Sequence, residues 1–462
     1  MVQRSGAVIP VGEAGRELTM NVIWFCLDTL RADHLGCYGY FRDTSPTLDR
    51  LAREGAVFPQ SRANAVATGP AFTSMFTGQY AINCEWYMTP FDVPNMINFP
   101  DDRPTLPEMI WEHGGITTAA FDNLINFASH MKQFVRGFEY YVNVTRTPRP
   151  VHHHVVGGAV NERLIPWIAA HRAERLFLFV HYWDPHLPYN QPDEFARPFV
   201  HEPGSLDDLE VRRAPAGYEY VPGWGTVEQI PNTEWPDGFA PEPAAPSKYP
   251  TCVDAYDGEI LYTDHLVDAV LNGLADADVL DDTAVIINAD HGEQLNQHAG
   301  TWGHAGLHDA VVFTPLIMWR PGTIPQGVSP SGYVHHLDIA PTILDLLGVE
   351  ATAEMDGTSL MPLVRGEAPP RDHYYTEAMA LRAVVRDGWK YIWHKCAPDE
   401  LYDLEADPME MLNLIDEQPQ RAAAMQEDLF AWVAGNLGER TDPMIGQLAR
   451  VEQMRPTPYR YL

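Results

Sequence analysis

Short apolar runs alternate with amphipathic stretches along this chain. The runs are almost wholly apolar, which is typical of strands buried on both faces, and they occur at 21–27 (NVIWFCL), 176–183 (LFLFVHYW) and 284–290 (AVIINAD). Stretches with helical periodicity lie between them, at 47–54, 106–113, 160–171 and 258–274. This alternation predicts an α/β fold with a large, mainly parallel sheet flanked by helices.

Two parts of the chain depart from this pattern. Residues 190–249 are rich in Pro, Gly, Asp and Glu, so we interpret them as an insertion that forms a lid or an oligomer contact. After residue 357, alternating stretches such as RAVVRDGWKYIWH (382–394) precede a helix-like stretch at 418–437. The predicted organisation is an N-terminal extension at 1–20, a main domain at 21–356, and a small C-terminal α+β subdomain with an antiparallel sheet and a tail at 357–462.

The chain is strongly acidic. It has 31 Lys and Arg against 63 Asp and Glu among 462 residues, a formal net charge of −32. This charge argues against binding to nucleic acid or to an anionic membrane surface. No apolar run approaches the roughly 20 residues of a spanning helix, and residues 1–19 lack the apolar core of a signal peptide. We therefore expect no contact with a membrane.

Cysteine usage and the C-terminal tail predict location and assembly. The five cysteines are odd in number and lack the close pairs of zinc or redox motifs. This usage predicts a reducing, cytoplasmic location. The tail at 450–462 (RVEQMRPTPYRYL) is aromatic and cationic on an acidic protein, so we expect it to pack on a partner subunit in a homo-oligomer.

Polar residues at the ends of the predicted strands are the candidates for chemistry. Asp28 follows the first apolar run, Asp290 and His291 follow another, and Thr68 lies in the segment ATGPAFTSMFTG (67–78). Taken singly, such a carboxylate or hydroxyl most often caps a loop or a helix. Because strand ends meet at one edge of a parallel sheet, the four side chains together predict a site for a divalent cation.

Several blocks of sequence resemble the sulfatase family, and they occur in the family's order. They are LDTLRADHLGCYGY (27–40), TGPAFTSMFTG (68–78), WDPHLPY (183–189), NADHGEQL (288–295), HLDIAPTILDLLGV (336–349) and ELYDLEADPMEMLNL (400–414). The resemblance covers nearly the whole chain from residue 21. It implies the sandwich fold of the alkaline phosphatase superfamily, a catalytic domain at 21–356, and a metal-dependent hydrolase of ester bonds.

Departures from the family pattern bear on the chemistry. Sulfatases carry Cys or Ser in a C-x-P-S-R block, where it is converted to formylglycine, and Thr68 matches that position with Pro70 retained. Threonine cannot be oxidised to this aldehyde. The arginine of the block falls on Phe72, and the lysine after the D-H pair is replaced by His304. Because family relatives with Ser or Thr here mostly act on phosphorus, the resemblance favours phosphate or phosphonate esters, cleaved through a metal-bound Thr68 nucleophile and a covalent intermediate.

The same resemblance implies the ligands of the ion. Asp28, Thr68, Asp290 and His291 would hold one divalent metal ion. Two carboxylates, an imidazole and a hydroxyl suit zinc or manganese better than calcium.

Other residues receive roles around this ion. We assign His186 and His304 to leaving-group protonation and transition-state stabilisation, and Asn123 and His308 to substrate binding. A second metal ion would bind if Asp184 and His308 contribute ligands.

Three other functions stay open at this stage. A sulfuric ester hydrolase working without formylglycine would prefer aryl sulfates to phosphate diesters and phosphonates. A phospho-group transferase would pass the group to an alcohol acceptor instead of water. A non-catalytic binding protein would keep the fold but hold no metal ion tightly. For each enzyme, the expected partner is a small-molecule anionic ester.

Overall fold

The computed structural model describes residues 20–84, 103–123, 132–145, 157–199, 209–228, 251–298, 302–304, 306–378 and 380–444. The strands are β1 (Asn21–Leu27), β2 (Ala56–Val57), β3 (Ser61–Arg62), β4 (Thr117–Asp122), β5 (Tyr140–Asn143), β6 (Leu176–Tyr182), β7 (Arg212–Arg213), β8 (Glu219–Val221), β9 (Gly225–Thr226), β10 (Thr283–Asn288), β11 (Gln294–Leu295), β12 (Trp302–Gly303), β13 (Leu316–Trp319), β14 (Val334–His335), β15 (His373–Ala378), β16 (Leu381–Arg386), β17 (Trp389–His394) and β18 (Glu400–Asp403). The helices are α1 (Pro46–Glu54), α2 (Thr68–Thr77), α3 (Leu106–His113), α4 (Gly158–His171), α5 (Asp193–Ala196), α6 (Cys252–Asp276), α7 (Asp309–Val312), α8 (Ile339–Leu347), α9 (Met361–Val364) and α10 (Pro419–Leu437).

The largest sheet of the described chain has seven strands in the order β2-β13-β10-β1-β6-β4-β5. β1 is parallel to β10 and β6, and β4 is parallel to β6 and β5, while β13 runs antiparallel to β10 and β2 at one edge. Every residue of β1 is buried, as its apolar sequence requires in the centre of a covered sheet. The predicted α/β class with a mainly parallel sheet is confirmed.

Helices cover both faces of this sheet. Successive side chains of a strand point to opposite faces, so Ile23 and Phe25 join the core that contains residues of α4 and α6. Val22 and Trp24 join the core that contains residues of α2, α3 and α8. Each such fully buried side chain contributes about 1.5–3 kcal/mol to stability. These two cores fix the central strands and leave their carboxyl ends at a common edge.

An antiparallel sheet of β15, β16, β17 and β18 follows in the C-terminal part of the chain. α10 packs on it through Met425 and Leu429, which share a core with Val384 and Tyr391. The sheet confirms the prediction from the alternating pattern at 382–394.

A buried charge cluster joins this sheet to the main domain. Lys390 of β17 is fully buried and lies 2.5 Å from Asp309 and 2.6 Å from Glu410. Arg62 of β3 lies 3.0 Å from the other oxygen of Asp309. Burial alone would raise the pKa of Asp309, but Arg62 and Lys390 outweigh it and lower the pKa to about 2. Two cations therefore keep this carboxylate ionised at the start of α7.

Helix α6 is longer than the sequence pattern indicates. Periodicity predicts 258–274, whereas the helix begins at Cys252, because the Thr251 hydroxyl caps the first turn by accepting from the backbone N–H of Asp254 at 3.1 Å. Among the described residues, no helix combines the length and apolar character that crossing a bilayer requires.

Some predicted segments lie outside the described residues. They are residues 1–19 of the predicted N-terminal extension, residues 200–208 and 229–249 of the predicted insertion, and the tail at 450–462. Within the insertion, β7, β8 and β9 form a small antiparallel sheet.

Replacing Lys390 by Met should lower the free energy of unfolding by about 3–5 kcal/mol, because the buried Glu410 and the partly buried Asp309 would be left with one cation fewer. Urea denaturation followed by circular dichroism measures this loss. Lys395→Met is the matched control, since Lys395 is partly exposed and forms no ion pair among the described residues, and it should change stability by less than about 0.5 kcal/mol. Equal losses in the two variants would contradict the assigned role of the cluster.

Candidate active site

The carboxyl ends of β1 and β10 bring three predicted metal ligands together. Asp28 follows β1, Asp290 and His291 follow β10, and the parallel register pairs Cys26 with Asn288, two residues before each carboxylate. One ligand atom from each of Asp28, Asp290 and His291 lies within 4.8 Å of the other two, and all three residues are buried. We call these three residues the first ligand group.

Backbone groups orient the first ligand group. The backbone N–H groups of Thr29 and His291 donate to Oδ1 of Asp290, at 3.1 and 2.8 Å. Nδ1 of His291 lies 2.9 Å from the carbonyl oxygen of Gly292. Since a carbonyl can only accept, Nδ1 carries a proton, and Nε2 is the ring nitrogen that can bind a metal ion.

The remaining ligand atoms have no hydrogen-bond partner in the described part of the chain. These atoms are both side-chain oxygens of Asp28, Oδ2 of Asp290 and Nε2 of His291. Buried polar atoms in proteins are almost always paired. The unpaired oxygens of Asp28 and Asp290, with Nε2 of His291 at 3.3 Å from Oδ2 of Asp290, therefore fit a divalent cation.

Electrostatics also favours a cation at this position. Burial and the neighbouring charge of Asp290 raise the pKa of Asp28 to about 6. Nε2 of His181 lies 3.4 Å from Oδ2 of Asp28, and Nδ1 lies 3.0 Å from Oδ1 of Asp122. Burial alone would lower the pKa of His181, but its contacts with Asp122 and Asp28 raise that pKa to about 9. One imidazolium cannot balance three neighbouring carboxylates, so the pocket lacks positive charge.

No motif in the sequence marks His181 as a functional residue. Its signal is a single polar residue inside the apolar run at 176–183. The register of the sheet then places His181 beside Cys26 of β1 and Asp122 of β4. Strand order is needed to recognise this contact, and periodicity does not reveal strand order.

Thr68 is the first residue of α2 and is partly exposed. One turn later, the Phe72 ring meets the His181 ring edge-on, with centroids 5.2 Å apart. Further along, Sδ of Met75 lies 3.0 Å from Nδ2 of Asn288. These contacts dock α2 against the ends of β6 and β10. Participation of Thr68 in a shared metal site stays a prediction.

Two residues with positive φ adjoin the candidate site. Thr29, directly after Asp28, has φ 57°, and Ala67, directly before Thr68, has φ 74°. Residues with a Cβ adopt such angles at a cost on the order of 1–3 kcal/mol. Tyr256 supports the first of them, because its hydroxyl donates to the Thr29 carbonyl at 2.7 Å. Strain of this kind is typical of functional sites that the surrounding structure fixes.

A second group of possible ligands lies beside the first. His186, Glu293 and His304 each place one ligand atom within 4.8 Å of the other two, and we call them the second ligand group. The ring centroids of His291 and His304 are 4.5 Å apart. Burial raises the pKa of Glu293 to about 8. Glu293 lies in the NADHGEQL block but is not among the predicted site residues.

Asn123 and His308, which the sequence analysis assigns to substrate binding, lie in different surroundings. Asn123 follows β4, and its amide donates to Oδ2 of Asp184 at 3.1 Å, which ties the ends of β4 and β6 together. His308 stacks on His298 with ring centroids 3.9 Å apart and lies 3.1 Å from Glu400. Neither Asp184 nor His308 belongs to either ligand group. Their contribution to substrate or metal binding stays a prediction.

Comparisons with known proteins identify the family. The sequence profile described as "Sulfatase" matches residues 20–349, and the profile described as "N-sulphoglucosamine sulphohydrolase, C-terminal" matches residues 299–432. The chain belongs to the sulfatase family. The resemblance inferred from the sequence blocks is therefore confirmed.

Relatives of this sulfatase-family chain include a protein named as a sulfatase and proteins named for the alkaline phosphatase superfamily or for phosphonate ester hydrolysis. The multifunctional alkaline phosphatase superfamily protein PehA of Trinickia caryophylli is 25% identical over 88% of this chain and 93% of its own length. Choline-sulfatase of Rhizobium meliloti (strain 1021) is 34% identical over 35% of this chain and 33% of its own length. The crystal structure of phosphonate monoester hydrolase of Agrobacterium radiobacter has a TM-score of 0.69 at 20% identity, covering 90% of this chain and 96% of that chain.

These findings establish the fold and the broad activity. The sandwich of the alkaline phosphatase superfamily is confirmed, and the protein is a hydrolase of the sulfatase family. Enzymes of this family use a divalent metal ion, and the first ligand group is able to hold one.

Chelation should destabilise this sulfatase-family hydrolase, because an ion present at 100 times its dissociation constant adds about 2.7 kcal/mol to the folded state. Asp290→Asn keeps an acceptor for the backbone N–H groups of Thr29 and His291 but removes the charge, so metal affinity should fall about 100-fold. Calorimetry with and without EDTA should show a lower unfolding temperature in EDTA for the wild type and a smaller decrease for the variant.

The control for this prediction is Asp264→Asn. Asp264 is also buried and accepts two backbone N–H groups, from Thr47 and Leu48 at 3.0 and 2.8 Å. It should lose some stability but keep the full response to EDTA. The same EDTA response in Asp290→Asn as in the wild type would refute the first ligand group as a metal site.

Proposed function

We propose that this protein hydrolyses phosphate or phosphonate esters, with Thr68 as the nucleophile and the first ligand group as the holder of a divalent ion. The observation that supports this proposal is a threonine at the family's nucleophile position, at the start of the helix docked beside that group. A threonine hydroxyl cannot become an aldehyde hydrate. Both steps of the reaction must therefore take place at the central atom of the ester.

The proposed reaction has two displacements at phosphorus. In the first, Oγ of Thr68 loses its proton and bonds to phosphorus, while the bond from phosphorus to the alcohol oxygen breaks and that oxygen takes up a proton. In the second, water attacks the same phosphorus, the bond to Oγ breaks, and the hydroxyl of Thr68 is restored. One ester and one water thus give one alcohol and one phosphate or phosphonate.

The nature of the nucleophile also favours phosphorus over sulfur. With formylglycine, sulfate leaves when a hemiacetal collapses, so sulfur is attacked only once. A threonine sulfate would require a second attack at sulfur. Phosphorus accepts both attacks, so the proposal fits the residue that the chain carries.

The residues around Thr68 prepare it for the first step. A divalent ion held by the first ligand group would lower the pKa of a coordinated hydroxyl and offset charge on the non-bridging oxygens. The first N–H groups of a helix have no partner inside that helix and favour an anion, and Thr68 begins α2. The strained Ala67 fixes the direction in which this helix starts.

His186 and His304 are the proposed source of positive charge on the leaving-group side. The Trp183 ring lies on the His186 ring, with centroids 3.8 Å apart, and limits its motion. At the position of the family's arginine, Phe72 is buried among Phe76, Phe134 and Phe179 and offers no charge. The two histidines, or a cation that they hold, would have to replace that arginine.

Sulfate esters are the second candidate substrates. The name of choline-sulfatase favours them, although its alignment covers only a third of each chain. The multifunctional relative PehA, which aligns over most of the chain, and the phosphonate monoester hydrolase that shares the fold favour the phosphorus esters.

Thr68→Ala should lower kcat for an aryl phosphate diester by at least about 1,000-fold, because the nucleophile is lost. Thr68→Ser, which keeps the hydroxyl, should stay within about tenfold of the wild type. Steady-state kinetics measures both values, and mass spectrometry of acid-quenched enzyme should detect a phosphoryl group on residue 68. A Thr68→Ala variant with wild-type kcat would exclude Thr68 as the nucleophile.

A matched substrate panel separates the two candidate classes. With one aryl leaving group throughout, kcat/KM for the phosphate diester or the phosphonate monoester should exceed that for the sulfate at least about tenfold, or ~1.4 kcal/mol in transition-state stabilisation. Each rate is compared with that of Thr68→Ala to exclude a contaminating enzyme. A Thr68-dependent preference for the sulfate would show that the second candidate is correct.

A further inference from the structure

We propose that the second ligand group, His186, Glu293 and His304, binds a second divalent cation of the zinc or manganese class. This inference rests on the proposed function, because it places the ion in the same ester-binding pocket. It also extends that function, since the substrate would then lie against two cations instead of one.

The chemistry and spacing of the second ligand group fit such an ion. Two imidazoles and one carboxylate, with a fourth position left open, form the ligand set of catalytic zinc sites. Ligand atoms bound at about 2.1 Å in a tetrahedron are about 3.4 Å apart. The three ligand atoms here lie within 4.8 Å of one another, so small rotations of the side chains bring them to bonding distance.

The ring of His186 is set up as a ligand. Its Nδ1 lies 2.7 Å from the carbonyl oxygen of Leu187, which can only accept, so Nδ1 carries a proton and Nε2 is the ring nitrogen that can bind a metal ion. His291 of the first ligand group has the same arrangement with Gly292. A neutral imidazole held in this way is prepared to bind a metal ion. It could protonate a leaving group only after gaining a second proton.

The carboxylate of Glu293 is also fixed in place. The Tyr189 hydroxyl donates to its Oε2 at 3.2 Å, and Arg31 donates to its backbone oxygen at 3.1 Å. Glu293 is 1% exposed and forms no ion pair with Lys or Arg in the described residues. The guanidinium of Arg31 is paired instead with Asp33, at 2.6 Å. A buried carboxylate without an ion-pair partner is costly, and a metal ion bound to it would remove this cost.

The carboxylates of the two groups suit more than one divalent ion. One such ion in the first ligand group balances its two aspartates, and the carboxylate of Glu293 belongs to the second ligand group. The two groups are adjacent, since the rings of His291 and His304 have centroids 4.5 Å apart. In known two-metal sites the ions are about 3.5–4 Å apart and stabilise the attacking and leaving oxygens together. The second ion would therefore supply positive charge on the leaving-group side.

Cobalt titration of the full chain tests this proposal. Co²⁺ added to metal-free protein should saturate at two ions per chain, measured by elemental analysis after removal of excess metal and by visible absorption of bound cobalt. His304→Gln and Glu293→Gln should each retain one ion per chain. Asp290→Asn should also retain one, now in the second ligand group. His265→Gln, which alters an exposed histidine on α6, is the control and should still bind two.

The result also separates this inference from the proposed function. One ion per chain in the wild type, or two in His304→Gln, would overturn the second site even if Thr68-dependent ester hydrolysis is found. Two ions per chain, with one lost in His304→Gln and in Glu293→Gln, would support the second site even if the Thr68 assays fail. Circular dichroism of each variant confirms that a lost ion does not reflect unfolding.

Discussion

The parallel register of β1 and β10 is the constraint on which the candidate site depends. Because Cys26 pairs with Asn288, the next carboxylates along both strands arrive at the same buried edge. Burial of Asp28 and repulsion by the like charge of Asp290 together raise the pKa of Asp28. The fold tolerates this arrangement since Trp24, in contact with Phe76 and Phe179, anchors β1 in an aromatic core. Apolar packing thus supports an arrangement of charges that becomes favourable only when a cation joins it.

The same aromatic core surrounds Phe72, which stands where the family pattern has an arginine. Phe72 is fully buried, and its ring packs on Phe76, Phe179 and His181. A guanidinium at this position would be surrounded by rings and cut off from water, which is costly without a partner. The side of the pocket facing α2 is therefore apolar, and its polar groups are concentrated on the segments after β6 and β10. This asymmetry suits a nucleophile on one side and charge compensation on the other.

Much of the scaffold could be predicted from the sequence, because a strand buried on both faces appears there as an apolar run. The runs that form β1, β6 and β10 are almost wholly apolar, and the helix at Leu106–His113 has its predicted bounds. The positions of Asp28, Asp290 and His291 at the ends of predicted strands were also enough to predict that these side chains come together. His181 and Glu293 could not be assigned in this way, since their surroundings depend on which strands are neighbours and on how the loop after β10 folds back.

Other features cannot be predicted from the pattern or the composition of the sequence. The positive φ of Ala67 and Thr29 arises from tertiary packing, because neither residue type favours that conformation. The family pattern, and not any periodicity, marks Thr68 as the nucleophile position. The sequence motifs likewise single out His304 after the D-H pair but do not reveal Glu293 as its neighbour.

The charge cluster around Lys390 limits how this chain could be recombined with its relatives. α7 follows the segment that carries His304, and its first residue, Asp309, is bound both by Arg62 of β3 and by Lys390 of the C-terminal sheet. A hybrid enzyme that took its C-terminal antiparallel sheet from another family member would leave Asp309 facing whatever side chain replaces Lys390. Without a cation from the donor, Asp309 would keep only Arg62, and the segment near His304 would be held less firmly. The two regions therefore have to be exchanged as a matched pair.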